Sequence, residues 1–185
     1  PLDVVLLDML LAAIVWQAAQ IVPYTPLWRK LGRAGAGPAE RSLRLVIVNV
    51  LMSNRKVDGL ASSLGRADPD LVLALEPDGW WVDRLAGILV DHPHRVLHPL
   101  DNTYGIALFS RLPLVEPEVR FLRQPEIPSI RTRVRLRSGD EVLLIGVHPE
   151  PPAPGEAATS LPRDAELVMV GREIAAGTLP VIVAG

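Results

Sequence analysis

Two apolar runs flanking an amphipathic stretch constrain this chain more than any other feature. Residues 43–50 read LRLVIVNV, apolar except at Arg44 and Asn49, a pattern that suits a strand buried on both faces. Residues 71–75, LVLAL, repeat it and end on Glu76, where Pro77 stops the ladder. Between them Val57, Leu60, Ala61 and Leu64 recur at helical spacing, predicting a helix with one apolar face that ends near Gly65 before the turn Asp68-Pro69-Asp70. Strand, helix and strand in this order form a parallel pair with a helical crossover. Their C-terminal ends then share one edge of one sheet, where open α/β sheets place ligands. That arrangement sets an amide, Asn49, beside a carboxylate, Glu76.

Each of these polar residues has a plain structural role available to it. Asn49 can fix the following turn through side-chain hydrogen bonds. Glu76 can turn to solvent or pair with an arginine. A carboxylate at the end of an apolar strand is nonetheless costly unless paired or metal-bound, which makes Glu76 a candidate ligand for a hard cation such as Mg²⁺. Trp80 and Trp81 open a further helical stretch reaching Leu89, with Leu85 and Ile88 inward. His92, His94 and His98 are three of the four histidines. Their spacing fits no compact zinc pattern and the chain has no cysteine to complete one, so a short strand over residues 95–97 is the economical account.

Residues 101–105, DNTYG, are turn chemistry feeding a strand over 106–109, and residues 110–113 leave the sheet. From 130 to 136 the pattern alternates, with Arg131, Arg133 and Arg135 on one face and Thr132, Val134 and Leu136 on the other. Such a row can hold phosphate bidentately or be the solvated face of an antiparallel strand. Ser138-Gly139-Asp140 turns the chain into a buried strand over 142–147 that ends in His148. His148 is the third polar residue set directly at the end of an apolar strand, and amide, carboxylate and imidazole together suit one site. After a stiff loop at 149–155, Ser160 is positioned to cap a helix carrying Leu167, Val168 and Ile174, and residues 177–180 turn into a last strand at 181–184.

The N-terminal residues 4–22 are apolar around all faces, broken by Asp8, Gln17 and Gln20. About 20 apolar residues span a bilayer, and an Asp near the centre costs roughly 2.5–3.5 kcal/mol. Trp16, Tyr24 and Trp28 followed by Arg29, Lys30 and Arg33 fit interface anchors and juxtamembrane charge. The segment reads as the end of a membrane anchor, or else as an amphipathic helix packed on the domain or on another chain. Asp3 and the lack of a small-residue cleavage site before Pro23 argue against a signal peptide. The basic residues lean toward a cytoplasmic face. The expected division is an apolar helix at 1–28, a linker at 29–40 containing GRAGAGP, and a domain from 41 to 185. A net charge of −2 argues against a polybasic nucleic-acid binder while leaving room for a local basic stripe, and the chain's ends, Pro1 and Gly185 after an apolar strand, suggest a piece of something longer.

Taken together, LRLVIVNV with Asn49, DPDLVLALE with Glu76, YGIALFSRLPL, LLIGVHPEPP with His148 and PVIVAG at 180–185 resemble the endonuclease/exonuclease/phosphatase superfamily, in its membrane-anchored bacterial branch. The resemblance implies an α/β (α+β) fold, a four-layer αββα sandwich of mixed sheets flanked by helices, incomplete at the C-terminus and preceded by the apolar helix. It implies a Mg²⁺- or Mn²⁺-dependent phosphoesterase in which Glu76 holds the metal, Asn49 supports metal or phosphate, and His148 hydrogen-bonds a phosphoryl oxygen, with Arg131 and Asn102 as secondary substrate contacts. The substrate would be a phosphate ester: a lipid head group, an inositol phosphate, a nucleotide or nucleic acid. No protein partner is implied. The family's Asp-x-Asn and later Asp-His motifs would fall after Gly185, so these 185 residues alone are expected to bind metal weakly and hydrolyse little. The alternative is a non-catalytic, membrane-tethered binding module on the same fold.

Overall fold

The computed structural model describes residues 2–25, 37–152 and 159–185. Trp28, Arg29, Lys30, Arg33, most of the expected linker and part of the 149–155 loop lie outside the described residues. The chain divides into two compact units, Pro1–Gly37 and Pro38–Gly185.

The first unit carries α1, Leu2–Ile21, with a 3₁₀ turn at Val22–Tyr24. Its 20 residues extend roughly 30 Å, about the thickness of a bilayer's hydrocarbon core. Residues 3–21 are all exposed, and by length and composition the stretch Asp3–Tyr24 suffices to cross a membrane.

The second unit is built on two four-stranded sheets. In the first, β1 (Leu45–Asn49) lies parallel to β2 (Leu71–Leu75), with Asn49 opposite Leu75. β4 (Ile106–Ser110) runs antiparallel to β2 and to β3 (His94–His98), giving the order β1-β2-β4-β3. The second sheet has the order β5-β6-β7-β8. It comprises β5 (Leu114–Arg120), β6 (Ser129–Arg135), β7 (Glu141–Gly146) and β8 (Val181–Ala184), with β7 and β8 parallel.

Alternation along the strands sorts the side chains into layers. Leu71, Leu73, Leu75, Ile106 and Leu108 of the first sheet meet Ile130, Val134, Leu144 and Ala184 of the second in the central core. The other face of the first sheet, through Val72, Ala74, Ala107 and Phe109, packs on α2 (Asp58–Ala67) and α3 (Gly79–Ile88), which contribute Leu64, Trp81, Val82 and Leu85. The outer face of the second sheet, through Leu143, Ile145 and Val147, packs on α4 (Leu161–Ala176) at Val170 and Ile174. The layers are therefore helix, sheet, sheet, helix: the expected αββα sandwich. Each fully buried Leu, Ile or Phe stabilises it by roughly 1.5–3 kcal/mol. Gly146 keeps the sheets close, because a Cβ there would sit 3.1 and 3.3 Å from the methyls of Leu73.

Several local expectations need correction. α2 runs past Gly65 to Ala67, and Asp68, with φ +43°, closes it in the left-handed conformation. β3 is longer than 95–97. The chain after residue 113 forms a strand, β5, that Pro117 conceals: β5 is an edge strand, and its register shifts between Val115 and Glu118, so the missing N–H removes no ladder bond. Of the apolar residues carried by α4, Leu167 and Val168 are exposed, while Glu166 and Val170 are buried. Ser160 stands at the N-cap position of α4 but makes no side-chain cap bond to the helix backbone; its hydroxyl donates to Asp164 Oδ2 at 2.7 Å instead.

Candidate active site

Residue 49 is the last of β1 and residue 76 the first after β2, so the parallel register sets them next to each other. The Asn49 amide donates to Glu76 Oε1 at 2.6 Å. Its own Oδ1 accepts from Leu51 N–H at 2.8 Å, so the turn-fixing role and the site role belong to the same side chain. Leu51 N–H is oriented for this by a left-handed φ of +53°.

Glu76 leaves the strand with φ +62°. A non-glycine residue in that region costs roughly 1–3 kcal/mol unless its surroundings fix it. Here they do. Glu76 N–H donates to Gly105 O at 2.9 Å, and Gly105 is pressed so close that a Cβ on it would lie 2.0 Å from Pro77 O. The strained turn swings the carboxylate away from the ladder toward Asn49. Such strain gathers where side-chain placement matters more than local stability.

His148 follows β7 on the second sheet. Its Nε2 stands 3.7 Å from Glu76 Oε1, close but too long for a hydrogen bond. The two side chains are 20% and 16% exposed respectively, so the pair is partly shielded yet open to a ligand. Val147 N–H bonds Ala184 O at 2.9 Å, and Gly185 sits so close that a Cβ on it would lie 1.9 Å from Val147 O. The end of β8 therefore reaches the same rim. Asn49, Glu76 and His148, drawn from three strand ends on two sheets, converge as their shared position at the ends of apolar strands suggested.

The secondary candidates sit differently. Arg131 is on the α4 side of β6, where its Nε donates to Glu173 Oε1 at 2.6 Å. Arg120 reaches the same carboxylate at 2.9 Å, and Arg133 and Arg135 meet Glu141. The arginine row is thus spent on carboxylates, and Arg131 together with Arg120 ties α4 to the sheet. Together Arg131 and Arg120 hold the Glu173 carboxyl below the usual range although burial pushes it up. Asn102 Oδ1 accepts from Tyr104 N–H at 3.1 Å, a local turn that orders the segment before β4. His92 is buried between Asp91 at 2.8 Å and the Pro69 carbonyl at 3.1 Å, and His98 packs edge-on against Phe121.

Two features escaped the sequence reading. Tyr104 stands with its ring centroid 5.9 Å from that of His148, and only its place in the turn before a buried strand hinted at it. Beyond Glu76, Asp78 takes a bidentate fork from Arg55 at 3.0 and 2.6 Å and caps α3 through Trp81 N–H at 2.9 Å. The Arg55 hydrogen bonds, and then the Trp81 N–H, hold Asp78 below the usual carboxylate range against the opposing effect of burial.

The donor set suits a hard divalent ion. Mg²⁺ takes oxygen ligands, uses one or two carboxylates and keeps several waters, and Glu76 brings its carboxylate to the rim beside Asn49 and His148. Among the described residues no group of three or more His, Asp or Glu stands ready to hold a metal, so Glu76 would be its principal protein ligand here, with Asn49 Oδ1 beside it.

A sequence model described as the Endonuclease/Exonuclease/phosphatase family matches residues 47–185. No curated protein matches the chain significantly. Among solved structures, humanized D. rerio TDP2 superposes with a TM-score of 0.63 at 22% identity, over 76% of this chain and 59% of that one. D. rerio TDP2 complexed with single-strand DNA product gives 0.62 at 20% identity, over 76% and 58%. The human Nocturnin catalytic domain with bound sulfate gives 0.57 at 16%, over 76% and 63%. At these identities the likeness is one of fold, and the chain spans less than two thirds of each of these structures. The five strand-end motifs, the four-layer sandwich and the family match agree: the chain belongs to the Endonuclease/Exonuclease/phosphatase family.

Proposed function

We propose that this chain carries the Asn49–Glu76–His148 part of a metal-dependent phosphoesterase, tethered to a membrane through α1, with residues 29–40 as linker. The observation that carries the reading is the convergence of three polar strand ends, joined by a 2.6 Å hydrogen bond and a 3.7 Å side-chain approach. A bound Mg²⁺ or Mn²⁺ would supply Lewis-acid polarisation of the phosphoryl group. Glu76 would hold that ion through oxygen. Asn49 donates to Glu76 Oε1 and so fixes the carboxylate's direction, as partners behind metal ligands commonly do. His148 donates to a non-bridging phosphoryl oxygen, where negative charge grows in the transition state of in-line water attack. Tyr104 limits the tilt of the His148 ring.

The substrate is a phosphate ester: a lipid head group, an inositol phosphate, a nucleotide or nucleic acid. The D. rerio TDP2 structure contains a single-strand DNA product, which supports the ester class and leaves the group on either side of the phosphorus open. The test is a panel of phosphodiesters and phosphomonoesters offered to the full-length natural protein with Mg²⁺, with Mn²⁺ and with metal omitted. Turnover that needs the metal is expected; a full panel without metal-dependent turnover contradicts the reading.

A further inference from the structure

Beside the proposed active site, an open groove of about 770 Å³ lies between the start of α2 and α3, lined by Arg55, Lys56, Asp58, Trp80 and Arg84. Both walls grow from the loops that carry the site residues. On the first, Asn49 Oδ1 takes Leu51 N–H, Leu51 O takes Asn54 N–H at 2.6 Å, and Asn54 Oδ1 takes Lys56 N–H at 3.1 Å. On the second, Asp78 lies two residues after Glu76 and holds Arg55. The groove is thereby hydrogen-bonded in steps to the rim where the scissile phosphate would sit.

Its charge is uneven. Arg55 is satisfied by Asp78, and its guanidinium lies 4.6 Å from the centroid of the Trp80 ring. Arg84 approaches the same ring at 5.3 Å. Among the described residues neither Lys56 nor Arg84 has an ion-pair partner, and Asp58 is the one carboxylate lining the groove. Gathering exposed cations around one indole is favourable through cation–π attraction but unfavourable between the cations themselves. An anion resolves that repulsion. An arginine preorganised against an aromatic face, with a lysine opposite, suits a tetrahedral polyoxyanion in particular.

We propose that this groove is a second phosphate subsite, in which Lys56 and Arg84 bind a phosphate group of the substrate other than the one cleaved. The proposal takes the position of the first phosphate from the phosphoesterase reading, and the subsite itself stands independently of catalysis. It narrows the substrate to a phosphate ester bearing at least one further phosphate.

The first measurement titrates the full-length protein with inorganic pyrophosphate without metal, following tryptophan fluorescence, with Trp80→Phe assigning the signal. Lys56 and Arg84 are exposed, so replacing them changes stability little. A saturable change is expected, weakened about tenfold or more in Lys56→Gln/Arg84→Gln and largely kept in Arg84→Lys. The second compares the p-nitrophenyl ester of thymidine 5′-phosphate with the same ester carrying a 3′-phosphate. The wild-type preference for the second should fall about tenfold in the double variant. A third repeats the titration with phosphatidylcholine vesicles bearing a phosphorylated inositol head group. Binding there that the double variant loses identifies a lipid source, and binding of the soluble ligands alone identifies a free one. Pyrophosphate binding unchanged in the double variant overturns the proposal whatever the hydrolysis shows. Binding lost in the variant by a protein that hydrolyses nothing keeps the subsite and overturns the phosphoesterase reading.

Discussion

The Asn49 amide donates to Glu76 Oε1 at 2.6 Å although 27 residues separate them, because the parallel register of β1 and β2 pairs Asn49 with Leu75. That bond fixes the direction of a carboxylate whose backbone is already left-handed. Asn49→Ala should weaken Mn²⁺ binding by roughly 10–100-fold, the usual effect of losing a partner behind a metal ligand. Titration followed by electron paramagnetic resonance checks it; unchanged affinity would mean that Asn49 serves only its turn.

The turn that carries Glu76 depends on Gly105. Gly105→Ala puts a Cβ 2.0 Å from the Pro77 carbonyl oxygen, an immobile backbone atom, whereas Gly146→Ala meets only the flexible methyls of Leu73 at 3.1 and 3.3 Å. Urea denaturation should show a loss of about 3 kcal/mol for the first and about 1 kcal/mol for the second. The reverse order would contradict the packing described.

Asp78 gives a pH signature. Its folded pKa is depressed, chiefly by Arg55, so its contribution to stability is complete above the ordinary aspartate value near 3.9 and drains away as pH falls through the lower folded value. Asp78→Asn keeps a capping acceptor for Trp81 N–H but not the charge, and should flatten stability against pH below about pH 4. Asp78→Ala should cost roughly 1 kcal/mol more at neutral pH by removing the cap. Denaturation midpoints from pH 3 to 7 separate the two.

Arg131 separates structure from catalysis. Its guanidinium holds Glu173 on the far side of the second sheet, so Arg131→Ala should lower stability by about 1–2 kcal/mol and leave kcat/KM on a phosphodiester within about twofold. A large fall in kcat/KM with stability intact would restore the phosphate role that the alternating arginines suggested.

The strand-end residues were legible because a polar side chain interrupting an apolar run at its last position is costly without a partner, and Asn49, Glu76 and His148 each do this. Their positions also needed little tertiary information, since β1 and β2 follow from local pattern. Less local features were hidden. Pro117 disguised β5, because its edge position and bulge, which make proline harmless there, are not written in its neighbours. The inward face of α4 was not written in its apolar residues, since Leu167 and Val168 are exposed while Val170 meets the second sheet and Glu166 is buried. The left-handed Glu76 could not be foreseen, since nothing in a glutamate asks for φ +62°; Gly105 imposes it from 29 positions away. The arginine alternation correctly placed one face of β6, but which carboxylates would meet it depended on Glu173 and Glu141 arriving from other elements.

The central claim is that Glu76 is the metal-holding carboxylate of a phosphoesterase. Its most direct test is the metal-dependent hydrolysis of bis(p-nitrophenyl) phosphate by the full-length natural protein and by its Glu76→Gln variant, whose amide fills the same space with no charge. The account predicts Mg²⁺- or Mn²⁺-dependent turnover in the wild type that falls by about 10²–10³-fold in the variant. Equal turnover in the two proteins, or turnover indifferent to metal, would contradict it.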